Sequence, residues 1–159
     1  MSDTRRYSPT SDRLLLDVML GKLAVYLRCC GYDTVYAGDR DIEADDRLRE
    51  LAATEGRVLI TRDTELAARV DRGLLLGTRD VEAQLSELHD MGVELTVDER
   101  PTHCGRCNGC LEPVGADEPT PAYAPDPAGT DCWRCRGCEQ VFWKGSHWER
   151  MQETIANVG

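Results

Sequence analysis

Apolar residues in the first hundred positions follow two different spacings. Short apolar runs with strand character occupy residues 13–18, 33–37, 57–61, 74–78 and 93–97. Between these runs, apolar residues recur every three or four positions, the helical spacing, over residues 19–31, 41–56, 62–73 and 80–92. Such alternation with short connections predicts βαβ units and a mostly parallel sheet, a fold of the α/β class. The order of the strands stays open.

The pattern changes after about Pro101. Cysteine, glycine and proline dominate from there, and the segment "EPVGADEPTPAYAPDPAGTD" is not compatible with a helix. We therefore expect a tail over residues 1–12, an α/β domain over 13–100, and a small module with a C-terminal tail over 101–159. Residues 1–12 contain no hydrophobic stretch of a secretory signal, and no apolar run reaches the roughly 18 residues of a membrane span. These features predict a disordered tail on a cytoplasmic protein.

The net charge of −10 is unusual for a nucleic-acid-binding protein, which normally carries a basic stripe. Arginine supplies nearly all the positive charge, since Lys22 and Lys144 are the two lysines of the chain. An acidic, lysine-poor composition is typical of proteins from a salt-rich cytoplasm, so we hypothesise a halophilic source. At high ionic strength phosphate contacts contribute less to binding, and the charge therefore does not exclude RNA.

Two cysteine triplets of equal spacing lie in the module: "CGRCNGC" (first triplet, 104–110) and "CWRCRGC" (second triplet, 132–138). Pairs of C-x-x-C without a secretory context indicate a metal site, and tetrahedral zinc takes four thiolates. The two triplets contain six cysteines, so two different sets of four could bind the zinc. In the inner register, zinc binds Cys107 and Cys110 together with Cys132 and Cys135, across the shorter loop. In the outer register, it binds Cys104 and Cys107 together with Cys135 and Cys138.

The residue after each C-x-x-C favours one register at the first triplet. A zinc knuckle turns with positive φ just after its second cysteine, which Asn or Gly tolerates. Asn108 follows Cys107, whereas Leu111 follows Cys110, so Cys104 and Cys107 are favoured. At the second triplet both following residues are ordinary, and this criterion does not decide.

Three aspartates occupy positions where α/β enzymes place a site. Asp17 ends the first strand, Asp63 follows the third, and Asp45 lies at the start of the second predicted helix. Converging carboxylates repel one another unless a cation lies between them, and hard oxygen ligands indicate Mg²⁺ or Mn²⁺. Helix capping is an alternative interpretation for Asp45 and for Asp63.

Several motifs follow one another in an order that resembles the Mut7-C family. They are "RLLLDVMLGKLAVYLRCCGYDT", "DDRLRELA", "GRVLITRDTELA", C-x-x-C-N-G and "CRGCEQVFWKGSHWERM", and they extend from about Arg13 to Met151. The resemblance implies a PIN-like domain, a three-layer α/β/α fold with a mostly parallel sheet, followed by a small zinc ribbon. It also implies a metal-dependent ribonuclease.

Carried over by position, the family's acids fall on Asp17, Asp45 and Asp63, which makes these the expected catalytic and Mg²⁺/Mn²⁺-binding residues. The D-x-x-L register selects Asp45 over Asp46. A fourth acid has no clear match, and Asp80 is the best candidate.

For the ribbon, the resemblance selects Cys135 and Cys138, so the structural zinc would be bound by Cys104, Cys107, Cys135 and Cys138. Cys110 and Cys132 then become spare thiols or neighbours of the site.

Four further side chains are candidate substrate contacts. Lys22, Arg62 and Arg79 can hold substrate phosphates, and His147 can contact nucleic acid or pack inside the ribbon. The ribbon itself can act as a staple for an end too small to hold a core, or present aromatic rings to unstacked bases. Its aromatic residues are Trp133, Phe142, Trp143 and Trp148.

We therefore expect an Mg²⁺- or Mn²⁺-dependent endoribonuclease whose ribbon stabilises the fold and positions RNA. The alternative is a non-catalytic adaptor that binds RNA, a ribosome or an RNA-processing partner with the same fold. A small-molecule phosphatase would need a nucleophile and a phosphate loop, and neither motif is evident in the sequence.

Overall fold

Four short apolar segments form a parallel sheet. The computed structural model describes residues 6–158, and the sheet order is β2-β1-β3-β4, with every neighbouring pair parallel. This confirms the predicted α/β class and supplies the strand order. The strands are β1 (Arg13–Leu16), β2 (Thr34–Tyr36), β3 (Arg57–Thr61) and β4 (Gly73–Leu75).

Helices connect the strands as the helical spacing predicts. A 3-10 turn (Val18–Leu20) leads into the first of them, and Gly56, with a φ of 62°, ends the second in the left-handed conformation that glycine accepts readily. In the described part of the chain, no helix has the length and apolar character needed to cross a membrane. The helices are α1 (Gly21–Cys29), α2 (Asp45–Glu55), α3 (Thr64–Arg69) and α4 (Val81–Asp90).

Both faces of the sheet are covered. Successive side chains of a strand point to opposite faces, so Leu14 and Leu16 enter one core and Leu15 enters another. The first core contains residues of α1 and α4, and the second contains residues of α2 and α3. Burial on both faces explains why the strands are continuous apolar runs instead of alternating ones.

The fifth predicted strand, residues 93–97, is wrong. Val93 forms one isolated parallel bridge with Tyr7, and the following residues find no strand partner. Tyr7 accepts from the N–H of Glu94, while the hydroxyl of Tyr32 bonds the carbonyls of Tyr7 and Glu94 at 3.0 and 2.7 Å. A side chain thus occupies an acceptor that a longer ladder would use.

Residues 1–5 of the predicted tail lie outside the described residues. Further along the same segment, Tyr7 is buried and belongs to the first core.

The cysteine module forms a second, antiparallel sheet of order β5-β6-β7, with strands β5 (Leu111–Pro113), β6 (Cys132–Cys135) and β7 (Val141–Trp143). Its own buried apolar cluster is small, consisting of Val114, Cys132 and Val141. The segment expected to be a C-terminal tail contains a helix, α5 (Ser146–Ala156), and Ile155 of this helix belongs to the first core. The chain therefore returns to the parallel domain after the module.

Candidate functional site

Four cysteines of the module converge. The Sγ atoms of Cys104, Cys107, Cys135 and Cys138 all lie within 4.8 Å of one another, and these are the four that the sequence interpretation selected. Cys104 lies 3.7 Å from Cys138 and Cys107 lies 3.5 Å from Cys135 between sulfurs. Four thiolates at this spacing suit tetrahedral zinc, and soft sulfur ligands favour it over Mg²⁺.

Each C-x-x-C is closed by a residue with positive φ. Asn108 has a φ of 69° and donates its N–H to the carbonyl of Cys104; Glu139 has a φ of 66° and donates to the carbonyl of Cys135. Asn accepts this conformation readily, while for Glu it costs roughly 1–2 kcal/mol. The residue after the C-x-x-C therefore indicates the positive φ at the first knuckle, where it is Asn108. It does not indicate the positive φ at the second knuckle, where it is Glu139.

Backbone groups prepare the thiols for a cation. Burial opposes ionisation of Cys135, but the N–H groups of Cys138 and Gly137 donate to its Sγ and lower the pKa of the thiol to about 7. Burial raises the pKa of Cys104. Thiolates this close repel one another, so a cation between them stabilises the ionised cluster.

Gly109 is a ligand-supporting residue that sequence reasoning missed. A Cβ at this position would lie 2.6 Å from the Sγ of Cys135 and 3.2 Å from that of Cys107. The available signal was the "NG" pair inside the first triplet. By contrast, Cys110 is exposed and outside the cluster, and the thiol of Cys132 donates instead to the carbonyl of Thr130 at 3.4 Å.

The first knuckle is attached to the edge of the parallel sheet. Asn108 accepts from the N–H of Thr34 at 2.9 Å, and its amide donates to Asp33 at 2.7 Å. Arg57 pairs with the same Asp33 oxygen at 2.9 Å. Burial by itself raises the pKa of Asp33, but the hydrogen bonds from Arg57 and Asn108 outweigh it and lower the pKa below its usual value.

A second contact joins the module to α1. Buried Arg28 donates to the carbonyl of Gly105 at 2.9 Å and to the carbonyl of Thr34 at 3.0 Å, and it pairs with Asp39 at 3.4 Å. The knuckle is therefore fixed to strand β2 and to helix α1 at once.

At the other site, Asp17 lies at the carboxyl end of β1 and is only 5% exposed. Its Oδ1 accepts from the N–H of Val18 and its Oδ2 from the hydroxyl of Thr61, each at 2.7 Å. Thr61 also accepts from the N–H of Asp63 at 3.0 Å. Thr61 thus connects two of the predicted acids, and sequence reasoning missed it, although a polar residue that ends the apolar run "RVLIT" was a visible signal.

Helix capping, the alternative interpretation for the other two aspartates, applies to Asp63 and not to Asp45. Asp63 caps α3, accepting from the N–H groups of Glu65 and Leu66 at 3.0 and 3.3 Å. Asp45 is half-buried in the first turn of α2, whose N-cap is Ala44, with no side-chain cap bond.

The predicted acids share the carboxyl edge of the sheet, since each follows a parallel strand or opens the helix that leads away from one. They do not meet as the cysteines do. Among the described residues, the cysteine cluster is the one group of three or more potential ligands within 4.8 Å. The fourth-acid candidate, Asp80, is exposed and caps α4 by accepting from Ala83.

The four predicted substrate contacts are distributed around two regions. Lys22 and Arg79 are exposed. Arg62 is half-buried, with its Nε buried and without a hydrogen-bond partner among the described residues. His147 lies on α5, beside the ribbon and away from these strand ends, where it lines an apolar cavity.

Glu87 of α4 is a further acid whose surroundings sequence reasoning did not anticipate. It accepts from the hydroxyl of Thr78 at 2.6 Å and from the N–H of Gly77 at 2.9 Å. Burial raises its pKa, but these hydrogen bonds and the charge of Arg62 lower the pKa below its usual value. Glu87 therefore holds the loop that follows β4.

Comparison with known proteins gives one match. The family model described as the Mut7-C RNAse domain matches residues 12–155, nearly the whole described chain. Neither the curated proteins nor the solved structures contain a match. The match points to a ribonuclease-type function with RNA as the substrate, and it confirms the resemblance found in the motifs. The chain belongs to the Mut7-C RNAse domain family.

Proposed function

We propose that this protein is a metal-dependent endoribonuclease, with a PIN-like domain that hydrolyses RNA phosphodiester bonds at the carboxyl edge of its parallel sheet. In this proposal Asp17, Asp45 and Asp63 bind Mg²⁺ or Mn²⁺. Cys104, Cys107, Cys135 and Cys138 bind a structural zinc.

The observation that carries the proposal is the burial of the Asp17 carboxyl group without a salt-bridge partner among the described residues. Of the two aspartates described as buried, Asp12 pairs with Arg72 at 3.1 Å, whereas no salt bridge to Asp17 occurs among the described residues. Burying a carboxylate without a cation is costly, and two neutral donors offset only part of that cost. A bound cation at this strand end would supply the missing charge.

The chain's own residues have separate roles in the proposed reaction. The hydroxyl of Thr61 and the N–H of Val18 hold the two oxygens of Asp17 in fixed directions. A bound Mg²⁺ or Mn²⁺ supplies Lewis-acid stabilisation of phosphodiester oxygens and a more acidic water. Arg62 and Lys22 offer positive charge to the substrate phosphates, and Arg79 does so from the loop after β4.

The test is cleavage of a panel of single-stranded and structured RNAs with Mg²⁺ or Mn²⁺. Asp17→Asn is expected to lower the cleavage rate on the order of 100-fold or more. Its unfolding free energy in the absence of divalent cations should be unchanged or higher, because the substitution removes an unpaired buried charge.

Asp12→Asn is the matched control, since Asp12 is also buried but lies at the opposite end of β1. It should keep cleavage while losing about 1–3 kcal/mol of stability with its Arg72 pair. Full cleavage by Asp17→Asn would refute the catalytic assignment.

A second candidate function is a non-catalytic RNA- or ribosome-binding adaptor. The observation in its favour is that the three aspartates are not within 4.8 Å of one another, while Asp63 is engaged in capping α3. Binding of RNA without cleavage under any divalent metal, together with no Mn²⁺ binding that depends on Asp17, would favour the adaptor.

A further inference from the structure

A cavity of about 310 Å³ lies between α1, the segment before the first triplet, the ribbon sheet and α5. Val25 and Cys29 of α1 form one wall, and Met151 of α5 closes another. Six aromatic side chains line it: His103, Trp133, Phe142, Trp143, His147 and Trp148. All three tryptophans of the chain therefore face one cavity.

The rings remain half-buried instead of packing against α1. Trp133, Trp143 and Trp148 each keep intermediate exposure, although Trp143 also stacks with Tyr123 at 6.2 Å between ring centres. Fixed contacts hold the walls apart: Arg28 of α1 binds the carbonyl of Gly105, and Ile155 anchors α5 in the first core. Aromatic surface left open in this way is available to a ligand.

The charge around the cavity differs from that of the rest of the molecule. The chain contains 29 acidic residues among 159, yet none of the described residues that line the cavity is Asp or Glu. Lys144, one of two lysines in the chain, places its Nζ 5.6 Å from the centre of the Trp148 ring. These aromatic walls and the nearby lysine therefore suit an anionic ligand with an aromatic part.

We propose that this cavity binds one unstacked nucleobase of single-stranded RNA, with Trp148 as its stacking platform and Lys144 next to the adjoining phosphate. The inference rests on the proposed function, which makes RNA the substrate. The volume is near the lower end of the range for ligand pockets, which suits a single base and excludes a duplex. Base–aromatic stacking tolerates any sequence, because every base has a π face.

This site would add a second RNA contact outside the proposed catalytic edge. Strand ends at the carboxyl edge would act on the phosphodiester, while the cavity would hold a base of the same strand on the ribbon side. The ribbon would then select single-stranded over double-stranded RNA, since a paired base cannot enter the cavity.

The test is a binding measurement that does not depend on cleavage. The zinc-loaded full chain with Asp17→Asn is titrated with an eight-nucleotide single-stranded RNA without added Mg²⁺ or Mn²⁺. Because every tryptophan lines the cavity, stacking of a base should quench the intrinsic fluorescence. Trp148→Leu should weaken binding by about 5- to 150-fold, and Trp148→Phe should restore most of it.

Controls separate the cavity from general surface binding. His89→Leu removes an exposed aromatic ring on α4 that lies outside the cavity and should leave the affinity unchanged. Lys144→Gln should lower the slope of log affinity against log salt by about one phosphate contact, while Arg69→Gln, a change to an exposed cation on α3, should not. If Trp148→Leu loses zinc or unfolds, Ser146→Phe, which narrows the exposed rim, replaces it and should also weaken binding.

Unchanged affinity in the folded cavity variants would overturn the inference, as would an equal loss in His89→Leu or no RNA binding at all. A change of oligomeric state in Trp148→Leu, seen by light scattering, would assign the cavity to a second copy of the chain and would also overturn it. Failure of the proposed catalytic site is a separate result, since it appears as cleavage that survives Asp17→Asn.

Discussion

The cysteine cluster and the acidic strand edge are the two candidate metal sites, and they are built in opposite ways. Four Sγ atoms lie within 4.8 Å of one another, whereas among the described residues the three aspartates form no such group. The cysteines come from two C-x-x-C turns, each closed by one backbone bond and one positive φ. The aspartates come from strand ends and a helix start far apart in sequence, and Thr61 connects Asp17 with Asp63 through hydrogen bonds.

The difference shows how local and topological construction constrain a site. A knuckle fixes two ligands within a few residues, so half of the zinc site is already formed by short-range structure. The acidic edge is assembled by the sheet, and two of its carboxylates also make structural hydrogen bonds: Asp63 caps α3, and Asp17 accepts from Thr61. We therefore expect loss of the zinc site to unfold the ribbon, and loss of the acidic edge to abolish RNA cleavage.

The largest expected effect is that of zinc removal. The ribbon buries few apolar side chains of its own, and zinc supplies on the order of 10 kcal/mol in comparable small modules. Chelation should unfold the ribbon while the parallel domain keeps most of its far-UV circular dichroism. Tryptophan fluorescence reports the ribbon end selectively, because the chain has no tryptophan before Trp133. An unaltered tryptophan spectrum after verified zinc loss would show that zinc does not maintain the fold of the ribbon.

A smaller effect distinguishes two adjacent acids at the start of α2. Asp45→Asn should reduce cleavage on the order of 100-fold, because it removes a proposed metal ligand. Asp46→Asn is the matched control; this exposed residue pairs with Arg49 at 3.5 Å and should keep activity within about twofold. Rates with saturating Mn²⁺ measure both, and the reverse pattern would move the site by one residue.

The two positive-φ residues of the knuckles offer a matched comparison of stability. Asn108→Gly keeps the turn but removes the bonds to Thr34 and Asp33, so the unfolding free energy should fall by about 1–3 kcal/mol. Glu139→Gly removes only the strain of an exposed residue and should be neutral or stabilising by up to about 1 kcal/mol. Urea denaturation of the zinc-loaded proteins measures both; equal losses would mean that the bonds to the sheet are unimportant.

The same attachment to the sheet should depend on pH. The lowered pKa of Asp33 means that its stabilisation is complete above the usual value of 3.8 and is lost as pH falls through the folded-state pKa. Stability of wild type and Asn108→Gly should therefore converge in acid.

The smallest expected effect is that of Cys110→Ser. Cys110 is exposed and outside the four-cysteine cluster, so one zinc should stay bound with unchanged unfolding free energy within about 0.5 kcal/mol. Metal analysis of the purified variant checks the stoichiometry. Zinc loss would show that the inner register binds instead.

Sequence patterns predicted the parallel sheet well because burial on both faces gives continuous apolar strands. They failed at residues 93–97, where an alternating apolar run found one bridge partner in Tyr7 and a side chain, Tyr32, at the next acceptor. Apolar spacing records burial, and it does not record whether a neighbouring strand is present to accept hydrogen bonds.

By itself, the sequence determined the α/β class, the family, and the first knuckle, because each depends on local residue chemistry: apolar spacing, ordered motifs, and an asparagine that accepts positive φ. Tertiary structure decided the strand order, the positive φ of Glu139, the burial of Asp17, and the bridging role of Thr61. It also formed the aromatic cavity by returning α5 to the first core. These features depend on which distant segments come together, and no local preference encodes that.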